Sequence, residues 1–204
     1  MKPLFLDIDT QNDFMLPAGA LYAGGAERVI LAVGALNRFA VERGFPLVST
    51  ACLHLENDAE FREWAPHCVV GTVGQLKPAT TLVGHGQILF TKQHTDVFRS
   101  ASFLPLLQEH AATEYVVYGV VTEVCVQLAA EGLLATGKQV TIVSDAVCAL
   151  SEEAGEKFLQ QFVRAGGVVA TSSEIRVRFQ NLLVGFHLEH EHSNERCGDS
   201  EGRN

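Results

Sequence analysis

The sequence has no long apolar run, and it is short of positive charge. None of its hydrophobic stretches approaches the roughly 20 residues that a membrane-spanning helix needs, so we predict no membrane segment. The opening stretch, MKPLFLDIDT, has only a short apolar run before its first acid, which argues against a signal peptide. The 15 Lys and Arg against 24 Asp and Glu give a net charge of −9, which argues against nucleic acid and anionic membranes as partners.

Cysteine is too scarce and too irregularly spaced for a disulfide-stabilised protein. The five cysteines are Cys52, Cys68, Cys125, Cys148 and Cys197. An odd set of this kind in a chain of 204 residues is typical of a reducing compartment rather than of a disulfide framework. We therefore expect a cytoplasmic protein with free thiols.

The chain contains no internal repeat and no sign of a second domain. Its 204 residues, 47% hydrophobic and 19% charged, are enough for one domain with a full core. We predict this single domain over residues 1–185. Residues 186–204 are rich in His, Glu, Ser and Gly, a composition typical of a disordered tail.

Apolar segments of strand length alternate with segments of helical periodicity. The six predicted strands cover 3–8, 46–51, 87–91, 115–118, 139–144 and 167–171, with helices predicted between them. Such alternation predicts a parallel sheet with helices on both faces. The predicted fold class is therefore α/β, a three-layer α/β/α domain around a six-stranded parallel sheet.

Polar and ionisable residues follow the ends of five of these strands. They are Asp9, Cys52 with His54, Lys92, Cys125 and Asp145. Ligands of open α/β sheets bind beyond the carboxyl ends of the strands. We therefore expect these side chains to meet at one edge of the sheet and to form a site there.

Cys125 is the candidate nucleophile of this site. It follows Gly119 and lies in the first turn of a helix predicted over 123–136, where unpaired N–H groups and the helix dipole favour a thiolate. Lys92 would stabilise that thiolate, and Asp9 would take the thiol proton and return it to a leaving group. The three residues predict acyl transfer, with backbone N–H groups of the turn 119–122 available to an oxyanion.

Each of these residues also has a structural interpretation. A buried cysteine such as Cys125 can be a packing residue, Lys92 can be a solvated lysine, and Asp9 can cap a turn. Asp7 is a second acid in the same stretch, although strand alternation places it within the sheet. Taken singly, Cys125 and Lys92 favour the structural interpretation, and only their combination favours catalysis.

Five phrases together resemble those of the nicotinamidase and isochorismatase-like cysteine hydrolases. They are DIDTQNDF (7–14), WAPHCVVGTVG (64–74), TKQHTDVF (91–98), GVVTEVCV (119–126) and SDAVCA (144–149). The resemblance implies Asp9 as general base and acid, Lys92 as the stabilising cation and Cys125 as the nucleophile. It also implies a cis peptide bond between Val120 and Val121, with the N–H groups of Val121 and Cys125 forming the oxyanion hole.

The phrase WAPHC resembles nicotinamidases more than isochorismatases. In nicotinamidases the loop after the second strand binds a divalent metal, often zinc, that holds the pyridine nitrogen. His54, Glu60 and His67 match three of the usual ligand positions, and Cys52 stands at the fourth, where an Asp is usual. A thiolate is a good zinc ligand, so Cys52 can complete the site. The alternative is a weakened site and a substrate that is not a pyridine.

The resemblance further implies a substrate and its surroundings. Phe14 and Trp64 match aromatic residues that flank the substrate ring in nicotinamidases, and the implied reaction converts nicotinamide and water to nicotinate and ammonia through a thioester on Cys125. Open alternatives are another small amide or carbamoyl compound, an isochorismatase-type hydrolysis, and a non-catalytic binding protein or a redox protein on the same fold. Family members often self-associate, so a homo-oligomer is also expected.

Overall fold

The computed structural model describes residues 2–180, so the predicted tail, 186–204, lies outside the described residues. Within this range the strands are β1 Pro3–Ile8, β2 Leu47–Cys52, β3 Gln87–Lys92, β4 Glu114–Val120, β5 Gln139–Cys148 and β6 Val168–Ala170. They form one sheet in the order β3-β2-β1-β4-β5-β6. Every neighbouring pair is parallel, which confirms the predicted six-stranded parallel sheet.

The α-helices of the described chain connect these strands. They are α1 Asn12–Met15, α2 Ile30–Glu42, α3 Phe103–Glu109, α4 Gln127–Ala135, α5 Glu152–Arg164 and α6 Ser172–Gln180. Helices α2 to α6 lie in segments predicted to be helical, whereas α1 was not predicted. Among the helices of residues 2–180, none combines the length and apolar character that crossing a membrane requires.

The two faces of the sheet bury two separate hydrophobic clusters. Successive residues of β1 point to opposite faces: Leu4, Leu6 and Ile8 pack with α3, α4 and α5, whereas Phe5 packs with α2 and α6. All residues of β1 and β4 are buried, as expected for central strands covered on both faces. The layers are therefore helix, sheet and helix.

Two local predictions differ from the structure. The helix predicted over 123–136 begins with a π-helical turn, Thr122–Val126, which contains Cys125, and only then continues as α4. The fifth strand extends to Cys148, so Asp145 lies inside β5 rather than beyond its end. Asp145 accepts hydrogen bonds of 2.7 Å from both the N–H and the Oγ of Ser172, so it stabilises the start of α6 and not the site.

The strand order reverses between β1 and β4. The chain runs from β1 outward to β2 and β3, and then returns to β4 before running outward again to β5 and β6. A crevice opens beyond the carboxyl ends of two strands that diverge in this way, and ligands bind there. Asp9 follows β1 and Cys125 follows β4, so the topology brings the two side chains to this crevice.

Candidate active site

Gly119 allows β1 and β4 to run side by side up to the crevice. It pairs with Ile8 in the parallel ladder, and its φ of 117° lies in the region that favours glycine. A Cβ atom at this position would lie 2.1 Å from the carbonyl oxygen of Ile8. Glycine is therefore required here, and beyond it the two strands deliver Asp9 and Cys125 to the same place.

Asp9 is fully buried and is anchored to β2 through Thr50. The Thr50 hydroxyl donates to Asp9 Oδ1 at 2.6 Å, and the Asp9 N–H donates to Thr50 Oγ1 at 3.1 Å. The φ of Asp9 is 49°, a left-handed conformation that Asp adopts more readily than most residues. Its second carboxylate oxygen, Oδ2, lies 2.7 Å from Lys92 Nζ. One oxygen is thus held by a hydroxyl and the other faces an ammonium group.

Lys92 is a buried cation with a fixed set of acceptors. It is the last residue of β3, and its Nζ donates to Cys52 Sγ at 3.2 Å and to the His94 carbonyl at 2.9 Å, in addition to the ion pair with Asp9. Burial alone lowers the pKa of Lys92, but the neighbouring Asp9 anion raises it, and the net pKa lies well above its usual value. Lys92 therefore stays charged in the crevice.

The Cys125 thiol faces both members of this ion pair. Burial raises the pKa of the thiol well above its usual value, Lys92 lowers it, and a hydrogen bond to Asp9 raises it again. Burial and Asp9 therefore oppose the thiolate that the start of the helix and Lys92 favour. The Asp9 carboxylate is the hydrogen-bond partner of this thiol, and this contact favours the protonated form.

A cavity opens beside Cys125. Its walls are largely apolar and include Phe14 and Trp64, the two residues expected to flank a substrate ring. Val120 and Val121 also line it, and the peptide bond between them is cis. The candidate nucleophile, the two aromatic side chains and the cis peptide bond therefore surround one space.

Cys52, His54 and His67 form a buried group next to this cavity. One ligand atom from each side chain lies within 4.8 Å of the others. His54 Nδ1 lies 3.0 Å from Asp58 Oδ2, and His67 Nδ1 lies 2.8 Å from the Ala65 carbonyl oxygen. Because both Nδ1 atoms are engaged in this way, the Nε2 atom of each ring is the one available to bind a metal. The contacts to Asp58 and Ala65 orient the rings.

Two buried atoms beside this group have no hydrogen-bond partner within residues 2–180. They are His54 Nε2 and Glu60 Oε2, which lie 4.0 Å apart. Burial lowers the pKa of His67, which keeps its imidazole neutral, the form that binds metals. One sulfur and two imidazole nitrogens are a donor set suited to zinc, and the Glu60 carboxylate lies beside His54 Nε2. The residues present therefore fit a zinc-type ion.

Two further residues position the site without having been singled out in the sequence. Gln11 holds the backbone of Cys52 from both sides, donating to its carbonyl at 2.8 Å and accepting from its N–H at 2.6 Å. Asp13 accepts from the N–H of Cys68, which follows His67, at 2.7 Å. Both belong to the phrase DIDTQNDF, so their place in that phrase was the available signal.

Asp7, the other acid of that phrase, belongs to a separate buried network. Its Oδ2 lies 3.1 Å from Lys77 Nζ and accepts hydrogen bonds of 2.9 Å from Asn37 and Ser49. Lys77 balances the charge of the carboxylate, and Asn37 and Ser49 donate hydrogen bonds to it. Asp9 is therefore the acid that lies next to Lys92 and Cys125.

Comparisons with known proteins identify the family and the fold. The Isochorismatase domain matches residues 3–174, whereas no curated protein sequence matches the chain. An isochorismatase-like hydrolase from Alkaliphilus metalliredigens is similar in structure, with 26% sequence identity and a TM-score of 0.82, over 88% of this chain and 100% of that one.

Two amidases are also similar in structure. The pyrazinamidase of Pyrococcus horikoshii in complex with zinc has 26% identity and a TM-score of 0.78, over 84% of this chain and 99% of that one. The nicotinamidase from Bacillus subtilis has 26% identity and a TM-score of 0.77, over 83% of this chain and 99% of that one. Since the domain match spans most of the chain and the fold agrees, the protein belongs to the isochorismatase family of hydrolases.

Proposed function

We propose that the protein is a cysteine amidohydrolase that converts nicotinamide and water to nicotinate and ammonia. The observation that carries this proposal is the Cys125 thiol at the wall of an apolar cavity, facing the buried Asp9–Lys92 pair. A thiol, a carboxylate and a fixed cation are sufficient for acyl transfer without a histidine. The similarity to a nicotinamidase and a pyrazinamidase supports an amide as the substrate.

In the first half of the reaction, Cys125 Sγ attacks the amide carbonyl carbon as its proton passes to Asp9. The carbonyl oxygen becomes an oxyanion, and the N–H groups of Val121 and Cys125 are the proposed donors to it. Asp9 then protonates the amide nitrogen, the C–N bond breaks, and ammonia leaves a thioester on Cys125. Lys92 stabilises the negative charge that moves between sulfur and carboxylate.

The second half of the reaction repeats these roles with water. Asp9 takes a proton from a water molecule that attacks the thioester carbonyl, and the C–S bond breaks. The Cys125 sulfur leaves as a thiolate beside Lys92 and regains its proton from Asp9. The product is nicotinic acid, which releases its remaining proton to give nicotinate. The enzyme returns to its starting state, and Asp9 has acted as base and acid in both halves.

Cys52, His54, Glu60 and His67 are the proposed ligands of a divalent metal, with zinc as the favoured ion. When bound, such an ion would hold the pyridine nitrogen of the substrate. The orphaned Nε2 of His54 and Oε2 of Glu60 support the assignment, as does the zinc-containing pyrazinamidase. Phe14 and Trp64 are the proposed contacts to the faces of the ring, because both line the cavity.

A second candidate substrate is another small amide or carbamoyl compound that lacks a pyridine ring. The observation that favours it is Cys52, because a sulfur stands where nicotinamidases usually have an aspartate. In either case the partner is a small molecule.

We infer a cytoplasmic location from the unpaired cysteines, and a homo-oligomer remains a proposal from the resemblance alone.

Ammonia release from a panel of small amides tests the proposed reaction. Wild type supplied with Zn²⁺ is expected to release ammonia from nicotinamide, and Cys125→Ala is expected to release none. Cys148→Ala is the matched control, because its thiol is half-buried and contacts the Gly24 carbonyl instead of the cavity. Failure of the wild type on every amide of the panel contradicts the amidohydrolase proposal.

A further inference from the structure

Leu150 lies at the mouth of the cavity that contains Cys125. Its side chain lines the cavity although 49% of its surface is exposed to solvent. It follows β5 by two residues. It belongs neither to the set of Asp9, Lys92 and Cys125 nor to the group of Cys52, His54 and His67. An exposed leucine on a loop is ordinary by itself. Leu150 can act on a ligand in the cavity only if the loop that contains it is fixed in position.

The backbone on both sides of Leu150 is tied to the segment that leads to Cys125. On one side, Cys148 is the ladder partner of Val120. On the other side, the N–H of Ser151 donates to Glu123 Oε1 at 2.8 Å. Residues 148 and 151 are thus attached to residues 120 and 123, so the loop at Leu150 is tied at both of its ends to the segment around Cys125.

The first turn of α5 adds a third constraint. A Cβ atom at Gly155 would lie 2.7 Å from Ala149 Cβ, so the helix and the loop are packed as closely as a glycine allows. Ala149 is therefore packed against α5, and the N–H of Ser151 is held by Glu123. Packing of this kind leaves little room for the loop to move away from a ligand.

We propose that Leu150 limits the size of the ring that the cavity accepts, and that Glu123 is the positioning residue that keeps Leu150 in place. The inference rests on the proposed function, since it takes the ligand to be an aromatic amide. Leu150 offers no hydrogen bond, so it selects by excluding volume. The preferred ligand has a bare six-membered ring, and carbon substituents on the edge that faces Leu150 are rejected.

Binding to an inactive variant measures this selection without any turnover. Trp64 is the single tryptophan of the chain and lines the same cavity, so its fluorescence reports ring binding. We would titrate Zn²⁺-supplied Cys125→Ala with nicotinamide and with nicotinamides methylated at each free ring carbon. Adding Leu150→Ala is expected to improve the affinity for at least one methylated ring, relative to nicotinamide, by about 10-fold or more, the usual scale for one carbon in an apolar pocket.

Leu89→Ala in the same background is the matched control. Leu89 is 55% exposed, similar to Leu150, but it lies on the edge strand β3 and not in the cavity. The control is expected to keep the affinity ratios of Cys125→Ala. If the ratios are the same with and without Leu150→Ala, or if no ring binds at all, the proposal about Leu150 is wrong.

The role of Glu123 is tested by a pair of variants in the same background. Glu123→Gln keeps a carbonyl oxygen that can accept from the N–H of Ser151, and it is expected to retain the ring preference. Glu123→Ala removes the acceptor and is expected to relax the preference in the same direction as Leu150→Ala. An unchanged preference in Glu123→Ala, or an equal loss in both variants, overturns the positioning role.

These outcomes are distinguishable from those of the reaction itself. Ring binding that depends on Leu150, together with a wild type that releases no ammonia, contradicts the amidohydrolase but supports the size limit. If the wild type releases ammonia but the ring preferences are unchanged by Leu150→Ala, the amidohydrolase is supported and the size limit is contradicted.

Discussion

Cys52 and Lys92 are directly paired across the β2–β3 ladder, and Cys52 Sγ lies 3.2 Å from Lys92 Nζ. The same sulfur belongs to the group that it forms with His54 and His67. Burial raises the pKa of the Cys52 thiol to about 12, with Asp9 adding to the rise and Lys92 opposing it. One sulfur therefore connects the cation beside the candidate nucleophile with the candidate metal ligands.

The first prediction concerns the identity of the metal ligands. Because a bound divalent ion deprotonates a coordinating thiol, the protein loaded with Co²⁺ is expected to show a sulfur-to-cobalt charge-transfer band in the near ultraviolet. Cys52→Asp should lose the band but retain metal, and its preference should move from zinc towards harder ions such as Mn²⁺. Cys52→Ala should bind Zn²⁺ at least about 10-fold more weakly.

Absorption spectra and metal analysis after dialysis check these expectations. Cys148→Ser is the control, since Cys148 contacts carbonyl oxygens at Gly24 and Ala149 and is expected to leave the band unchanged. A wild type that binds neither Co²⁺ nor Zn²⁺ would remove the metal-site proposal. A cobalt spectrum without a sulfur band would restrict the site to the two histidines and Glu60.

The second prediction concerns the reactivity of Cys125. Only the thiolate reacts with iodoacetamide, and burial holds the thiol pKa above its usual value. Alkylation of Cys125 should therefore be slow at pH 7 and should still be accelerating above pH 9. Lys92→Met removes the cation that lowers the pKa, so the pKa rises further, and the rate at pH 8 should fall by about 10-fold for each unit of that rise.

Mass spectrometry of the Cys125 peptide at timed intervals gives these rates. The Cys148 peptide in the same digest serves as the internal control, because Lys92 is not among the groups that act on the Cys148 pKa. A wild-type rate that levels off below pH 8 would mean a resting thiolate, and equal rates in wild type and Lys92→Met would mean that Lys92 does not act on the thiol.

The third prediction concerns the stability of the metal-free protein at acidic pH. Burial lowers the pKa of His67, so the folded state favours the neutral ring more than the unfolded state does. The corresponding stability is present above the unfolded pKa, near 6.5, and is lost as the pH falls through the lower folded value. Metal-free wild type should therefore lose more stability between pH 7.5 and pH 5 than His67→Gln does.

Urea unfolding of EDTA-treated protein at the two pH values measures this difference. His85→Gln provides a control, because His85 lies exposed between Gly84 and Gly86, and this variant should behave as wild type. If His67→Gln loses as much stability on acidification as wild type, the protonation of His67 is not what destabilises the metal-free fold.

The sequence predicted the sheet, and it predicted where most residues of the candidate site would lie, because the signals were local. Apolar runs of strand length, each followed at once by a polar residue, placed Asp9, Lys92 and Cys125 at one edge once the strands were taken as parallel. Asp145 shows the limit of this reasoning. Its strand continues to Cys148 because the ladder with β4 shifts register near Gly119 and extends, and no local pattern indicates such a shift.

Other features depend on contacts between distant segments, and the sequence could not supply them. Burial and the Asp9 carboxylate raise the pKa of the Cys125 thiol and the Lys92 cation lowers it, and both charged groups lie far from Cys125 in the sequence. The bond between Glu123 and Ser151 joins residues 28 positions apart through a backbone N–H, which no residue type reveals. Leu150 therefore appeared in the sequence only as an apolar loop residue.

The last prediction concerns Gly119. Both the stability of the fold and the geometry of the candidate site require a residue without a Cβ atom at this position. In Gly119→Ala the new Cβ would lie 2.1 Å from the Ile8 carbonyl oxygen, on a backbone with φ of 117°. Both the clash and the conformation are unfavourable, so unfolding free energy should fall by about 3 kcal/mol or more. Gly24→Ala, with no heavy atom within 4 Å of its added Cβ, should change it by less than about 0.5 kcal/mol.

Urea unfolding followed by circular dichroism measures both variants, and ammonia release measures the consequence for the site. Any relief of the clash must separate β4 from β1, which moves Cys125 away from Asp9. Folded Gly119→Ala should therefore lose activity even at low temperature, where enough of it remains native to assay. A variant as stable and as active as wild type would show that the two strands do not need to approach this closely for Asp9 to act on Cys125.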